Sequence, residues 1–228
     1  EAKMERKTIY TFQSALAKSW KKGRIFLAGD AAHLMPPFMG QGMCAGIRDV
    51  SNLAWKISHC LKNEHNDKLL NTYQSERSSN VKEYIETTMR MGEFVNAVGK
   101  SPITNNISAD SKGRKSMKSI KPRLGQGLGD LKDKFRGKIF PQFIIKKNKK
   151  LDEKFSLKPA LIISDEIKKN ISSKIKLIKS KNIKNLELFF KEHNCKAVIV
   201  RPDRFILSSC TSVKNFNSYL NKNLSLLA

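Results

Sequence analysis

Ile25-Phe26-Leu27-Ala28-Gly29-Asp30, then Pro36-Pro37 and Gly40-Gln41-Gly42-Met43-Cys44, reads in order as strand, turn, extended loop and helix start. Ile25 to Ala28 is an uninterrupted apolar run of strand length, and such a run predicts a parallel strand buried on both faces. Gly29-Asp30 stops it. A carboxylate placed there sits at the carboxyl end of a strand, where open α/β sheets bind ligands, and it can accept hydrogen bonds from sugar-like hydroxyls. The two prolines forbid regular helix and hold the chain extended. Gly40-Gln41-Gly42 then puts backbone without side chains at a helix start, where unpaired N–H groups and the positive end of the helix dipole favour an anion.

Working outward, Met43, Ile47, Val50, Ala54, Ile57 and Leu61 recur every three or four residues, which predicts a helix packing one apolar face on a sheet. A second helical pattern runs from Asp67 to about Val98 through Leu70, Tyr73, Val81, Tyr84, Ile85, Thr88 and Met91, with a break expected near Ser78-Ser79. Residues 101–137, rich in Gly, Ser, Lys, Asn and Pro, read as a linker. Beyond it, apolar runs at 160–163, 175–178, 197–200 and 205–207 alternate with helical patterns near 185–193 and 213–227. Arg201-Pro202-Asp203-Arg204 reads as the turn of a hairpin.

The chain has 228 residues and a formal charge of +24, from 44 Lys+Arg against 20 Asp+Glu. Only ten of the cations are Arg, and the lysines are spread through most segments, which argues against a nucleic-acid stripe and for a compositional bias. No apolar run is long enough to span a membrane. Cys44, Cys60, Cys195 and Cys210 have neither CxxC nor metal-ligand spacing, so reduced thiols, no metal site and a cytoplasmic setting are expected.

The segment Arg24 to His33, with Pro36-Pro37, Gly40-Gln41-Gly42-Met43 and Asp49-Val50-Ser51-Asn52-Leu53-Ala54-Trp55-Lys56, resembles the second FAD-binding motif of class A flavoprotein aromatic hydroxylases. Phe38 to Asp49 is most similar to the 3-(3-hydroxyphenyl)propionate hydroxylase branch, with Cys44 where other branches usually carry Asn. Leu70-Asn71-Thr72-Tyr73-Gln74-Ser75-Glu76-Arg77 resembles a helix signature of the family. Ala197 to Asp203 resembles the end of the thioredoxin-like domain of phenol hydroxylase relatives. The likeness is strong over 8–61 and loose after 99.

The resemblance implies an α/β fold: the C-terminal part of a Rossmann-like FAD-binding domain at 1–100, a linker at 101–137, and a small thioredoxin-like domain at 138–228. It implies FAD as cofactor, reduced by NAD(P)H, and hydroxylation of a phenolic acid by O2 through a flavin hydroperoxide. Gly29 and Asp30 would meet the ribityl chain, Gly40, Gln41, Gly42, Met43 and Cys44 the pyrimidine edge of the flavin, and Pro36 and Pro37 would wall the ring. No catalytic residue is assigned. His33 suits a structural hydrogen bond, Arg48 and Asp49 suit surface or helix packing, and Trp55 suits the core. Without CxxC, the thioredoxin-like part would be a structural or oligomerisation module, so a homo-oligomer is among the expected partners. The Gly-x-Gly-x-x-Gly fingerprint that grips the FAD pyrophosphate is absent, so the chain reads as a portion of a longer enzyme, inactive by itself. The same absence supports a second reading: a non-catalytic remnant or basic binding module that keeps the flavin-domain scaffold.

Overall fold

A computed structural model describes residues 3–62, 67–96, 107–109, 115–117, 120–146, 149–155, 158–168 and 175–224. Helices and sheets are mixed, and the chain divides into two compact units: residues 1–47 with 81–120, and residues 48–80 with 121–228.

In the first unit, β1 (Ala15–Leu16) pairs antiparallel with β4 (His33–Leu34), and β2 (Lys21–Lys22) with β3 (Ile25–Phe26). Gly23, at φ +58°, supplies the left-handed residue of the tight β2–β3 turn. Trp20 is the core of this hairpin region. It is fully buried, its indole N–H donates to Ala17 O at 3.2 Å, and its ring lies 5.6 Å from that of His33. The buried parallel strand expected over Ile25–Ala28 is therefore not formed: the strand is limited to Ile25–Phe26, and Ile25 is 70% exposed. The Gly23 turn satisfies that backbone locally, in an antiparallel hairpin.

Helix α1 (Gly42–Lys62) begins where expected, but it is rotated relative to the sequence reading. Met43, Ile47, Val50 and Leu61 are exposed, whereas Asp49, Asn52, Leu53, Trp55, Lys56 and Cys60 are buried. The polar members of that face are buried because their partners are buried too. Asp49 accepts from Arg77 at 2.7 Å, and Lys56 meets Glu76 at 2.8 Å, both partners on α2 (Asp67–Asn96). Helix α2 is unbroken through Ser78-Ser79. The small residues serve close approach instead: Gly125 N–H donates to Glu76 O at 2.9 Å, and a Cβ at Gly125 would collide with Ser75 O and Ser79 Cβ. Residues 97 and 98 lie outside the described residues.

Two short hairpins follow, β5 (Ile107–Ala109) with β6 (Lys115–Met117) and β7 (Ile144–Lys146) with β8 (Lys149–Lys150). Most of 101–119 lies outside the described residues. The rest of the 101–137 stretch packs tightly, with Leu124, Phe135 and Arg136 buried and Leu124 N–H bonded to Gly137 O at 2.9 Å.

The second unit is built on four strands, β9 (Ala160–Ile163), β10 (Lys176–Lys179), β11 (Ala197–Val200) and β12 (Ile206–Cys210), in the order β10-β9-β11-β12. β9 and β10 are parallel, and the other neighbours antiparallel. Alternation along each strand divides two cores. Ala160, Ile162, Val198, Val200 and Ile206 face Leu186, Phe189 and Phe190 of α3 (Lys184–Glu192), while Leu161, Ile163, Ala197, Ile199 and Leu207 face Phe216 of α4 (Phe216–Leu224). A sheet covered on both faces needs continuous apolar strands, which is why these runs were legible. Arg201 to Arg204 forms the β11–β12 turn as expected, with Arg204 at φ +69°. The last helical pattern was expected to reach Leu227, and its residues 225–227 lie outside the described residues.

Candidate functional site

Gly29 turns the chain with φ +58° into a 3-10 turn, Gly29–Ala31, closed by Ala32 N–H on Gly29 O at 2.8 Å. The turn leaves Asp30 exposed. Pro36 is buried and extended, and Pro37 starts a second 3-10 turn, Pro37–Met39, so the exposed proline ring is that of Pro37. Gly40, at φ +60°, ends this turn with its N–H on Pro37 O at 2.9 Å. Gln41 O accepts Ala45 N–H at 2.8 Å as the first helical bond of α1. Gly42 is the first helical residue, Met43 is 76% exposed and Cys44 is half-buried with a free thiol.

These pieces meet through two glycines. A Cβ built on Gly46 would stand 3.3 Å from Gly29 Cα, so the Gly-Asp turn lies directly against the first turn of α1. The turn that carries the exposed Asp30 is thereby packed on α1 near its start, with Pro37 on the connecting loop. The N–H groups of Gly42, Met43 and Cys44 have no i−4 carbonyl within the helix. Such an arrangement can accept hydrogen bonds from hydroxyls and stabilise a negatively charged ring edge. Gly46, which makes the approach possible, was not singled out by sequence reasoning, although a glycine four residues into a helix is a signal of close backbone approach.

Sequence reasoning also missed a buried ionic cluster in the second unit. Glu76 accepts two bonds from the Arg201 guanidinium, both at 2.9 Å, one from Lys56 at 2.8 Å, one from Asn52 at 3.1 Å and one from Leu128 N–H at 2.9 Å. Arg201 also donates to Asp203 at 3.0 and 2.6 Å, and Asn52 to Asp203 at 2.9 Å. The guanidinium lies 5.2 Å from the centre of the Trp55 ring. Burial by itself would raise the Glu76 carboxyl, but Arg201 and Lys56 outweigh it and hold the group well below the usual carboxylate range. Burial, aided by the Arg201 charge, brings Lys56 from 10.5 down to about 8. Burial would lower Arg201 too, but Asp203 and Glu76 more than compensate and raise it. The signal lay in charges set inside apolar surroundings: Lys56 after Trp55, and Arg201 straight after a β-strand.

Residues 1–88 match the model of the FAD binding domain family. The solved structure of the flavin-dependent monooxygenase PieE in complex with FAD and substrate covers 96% of this chain and 50% of its own, with a TM-score of 0.62 at 14% identity. A ternary complex of aklavinone-11 hydroxylase with FAD and aklavinone gives 0.55 at 18% identity, over 93% of this chain and 45% of that one. Among curated relatives, a protein of Rhodococcus jostii (strain RHA1) named "Probable NADH-specific resorcinol 4-hydroxylase" is 39% identical over 149 residues, 64% of this chain and 27% of the relative. A 3-(3-hydroxy-phenyl)propionate/3-hydroxycinnamic acid hydroxylase of Mycolicibacterium smegmatis is 41% identical over 104 residues, 46% of this chain and 18% of the relative. The chain is similar to FAD-dependent aromatic hydroxylases, and it spans about a quarter or less of the length of these curated relatives.

Proposed function

We propose that this chain supplies the flavin-contacting loop and the C-terminal part of an FAD-dependent, NAD(P)H-driven hydroxylase of phenolic acids, working in the cytoplasm. The observation that carries the reading is the Gly29–Gly46 approach, which packs the turn bearing the exposed Asp30 on helix α1. The residues fit the group. Asp30 would accept hydrogen bonds from the ribityl hydroxyls, the Gly40–Cys44 backbone would face the pyrimidine edge, and Pro37 would lie beside the ring. When bound, FAD supplies the redox chemistry, taking electrons from NAD(P)H and activating O2 for transfer of one oxygen atom to the phenol. The chain's own share is to bind, orient and stabilise charge: donors fixed in advance at α1 lose no reorganisation energy when negative charge develops.

The segments 1–100, 101–137 and 138–228 are proposed as flavin-domain part, connection and thioredoxin-like domain. The strand order β10-β9-β11-β12, with one parallel pair and a terminal strand-strand-helix, supports the last of these. Similarity to 3-hydroxyphenylpropionate and resorcinol hydroxylases supports a small hydroxylated aromatic ring as substrate. The test is NAD(P)H oxidation by the purified full-length gene product, with 3-(3-hydroxyphenyl)propionate and resorcinol as substrates. Bound flavin with oxidation stimulated by one of them is expected. A folded, colourless and inert product would instead support a non-catalytic scaffold.

A further inference from the structure

A cavity of about 250 Å³ lies at the carboxyl ends of the parallel strands β9 and β10, bordered by Phe190 and Lys191 of α3. Ser164 directly follows β9 and Ser180 directly follows β10. Backbone bonds pin both, Ser180 N–H to Ile163 O at 2.9 Å and Ser164 N–H to Lys196 O at 2.8 Å. In α/β sheets, ligand sites lie outside the carboxyl ends of parallel strands, where this cavity sits.

Two further observations give the cavity its chemistry. Ser164 is only 6% exposed, and its buried Oγ has no hydrogen-bond partner among the described residues. A buried hydroxyl left unpaired is unfavourable, so it invites a ligand that completes the bond. Three of the seven lining residues, Asp165, Glu166 and Glu187, are carboxylates, in a chain with a formal charge of +24 and only 20 acidic residues. Lys196 bridges Glu166 at 2.6 Å, and Glu187 accepts the Asn182 N–H at 3.0 Å. Lys191 balances one charge, and the lining as a whole stays negative. A hydroxyl oxygen and carboxylates together suit an organic cation, whose N–H groups can donate to both.

We propose that this cavity binds a small alkylammonium or guanidinium compound, whose N–H donates to Ser164 Oγ while Asp165 and Glu187 balance its charge. The site is independent of the flavin reading. The test is an amide NMR titration of the 228-residue chain with propylammonium chloride and with methylguanidinium chloride, against sodium chloride at equal ionic strength. Saturable shifts confined to the amides of Ser164, Asp165, Ser180 and Lys191 are expected, with binding weakened about fivefold or more in Asp165→Asn. Ser164→Ala should raise the melting temperature while weakening binding, because it removes an unpaired hydroxyl. Shifts that fail to saturate, or that sodium reproduces, overturn the proposal. So does a Ser164→Ala protein that melts lower, since the hydroxyl would then have a partner within the fold.

Discussion

Replacing Glu76 by Gln keeps the side chain's shape and removes its charge from the centre of the second unit. Lys56, Arg201 and Arg136 would then share a buried site with Asp203 as the remaining carboxylate; Arg136 Nη2 lies 4.0 Å from Glu76. Glu76 accepts five hydrogen bonds, four of them from side-chain donors on Lys56, Asn52 and Arg201, at 2.8 to 3.1 Å. Removing one partner of a fully buried pair costs about 3–5 kcal/mol, because the other charges stay buried without compensation. Lys56→Met should behave differently. Lys56 is drawn from 10.5 to about 8, which places roughly 3 kcal/mol against its charged form, and Glu76 keeps Arg201, Asn52 and Leu128 N–H after the change. Lys56→Met should therefore lie within about 1 kcal/mol of the parent, or above it. Urea unfolding of the 228-residue chain at neutral pH, with unchanged m-values, measures both. A Glu76→Gln loss below about 1 kcal/mol, or equal losses for the two variants, would refute the view that Glu76 organises the cluster.

The same groups predict a pH dependence. The carboxyl of Glu76 is held low in the fold, so its contribution is present above its ordinary value of 4.5 and lost as pH falls from there; the stability gap between parent and Glu76→Gln should narrow on acidification. Lys56 has the same sign in a higher window: between about 8 and 10.5 the unfolded chain holds more protons, so raising pH through that window should favour the parent over Lys56→Met in paired unfolding curves. Gly46→Ala places a Cβ 3.3 Å from Gly29 Cα, against backbone that must give way, and should cost about 1–3 kcal/mol in thermal unfolding. Burial raises the Cys195 thiol to about 11, so alkylation at pH 8 should label half-buried Cys44 first and reach Cys195 only on unfolding, as peptide mapping would show.

The parts of the fold that sequence made legible are those where hydrophobicity alone decides. The runs 160–163 and 197–200 became fully buried strands, Arg201 to Arg204 became the expected turn, and the apolar side of α2 carries buried Tyr73, Val81, Tyr84 and Ile85. Periodicity misled on α1, because its apolar stripe Met43-Ile47-Val50 is exposed while Asp49, Asn52 and Lys56 are buried. No hydropathy pattern reports that a charge has a partner 20 or 125 residues away, as Lys56 and Arg201 have in Glu76. Likewise Ile25–Ala28 looks like a buried strand by composition, but the Gly23 turn gives its backbone a local antiparallel partner. For the candidate site, residue order was enough to place Gly29, Asp30 and the start of α1. What order did not reveal was the contact that joins them, which depends on the missing side chain of Gly46.

In the proposed function Asp30, beside the Gly29 that packs on Gly46 of α1, binds the cofactor. The most direct measurement is the flavin absorbance of the full-length gene product, purified as the native protein and as Asp30→Ala. The account predicts a native protein carrying FAD and a folded variant that retains markedly less, by a weakening of about 1–3 kcal/mol for lost charge-assisted hydrogen bonds. Flavin retained undiminished by Asp30→Ala, or a folded native protein that binds none, would contradict it.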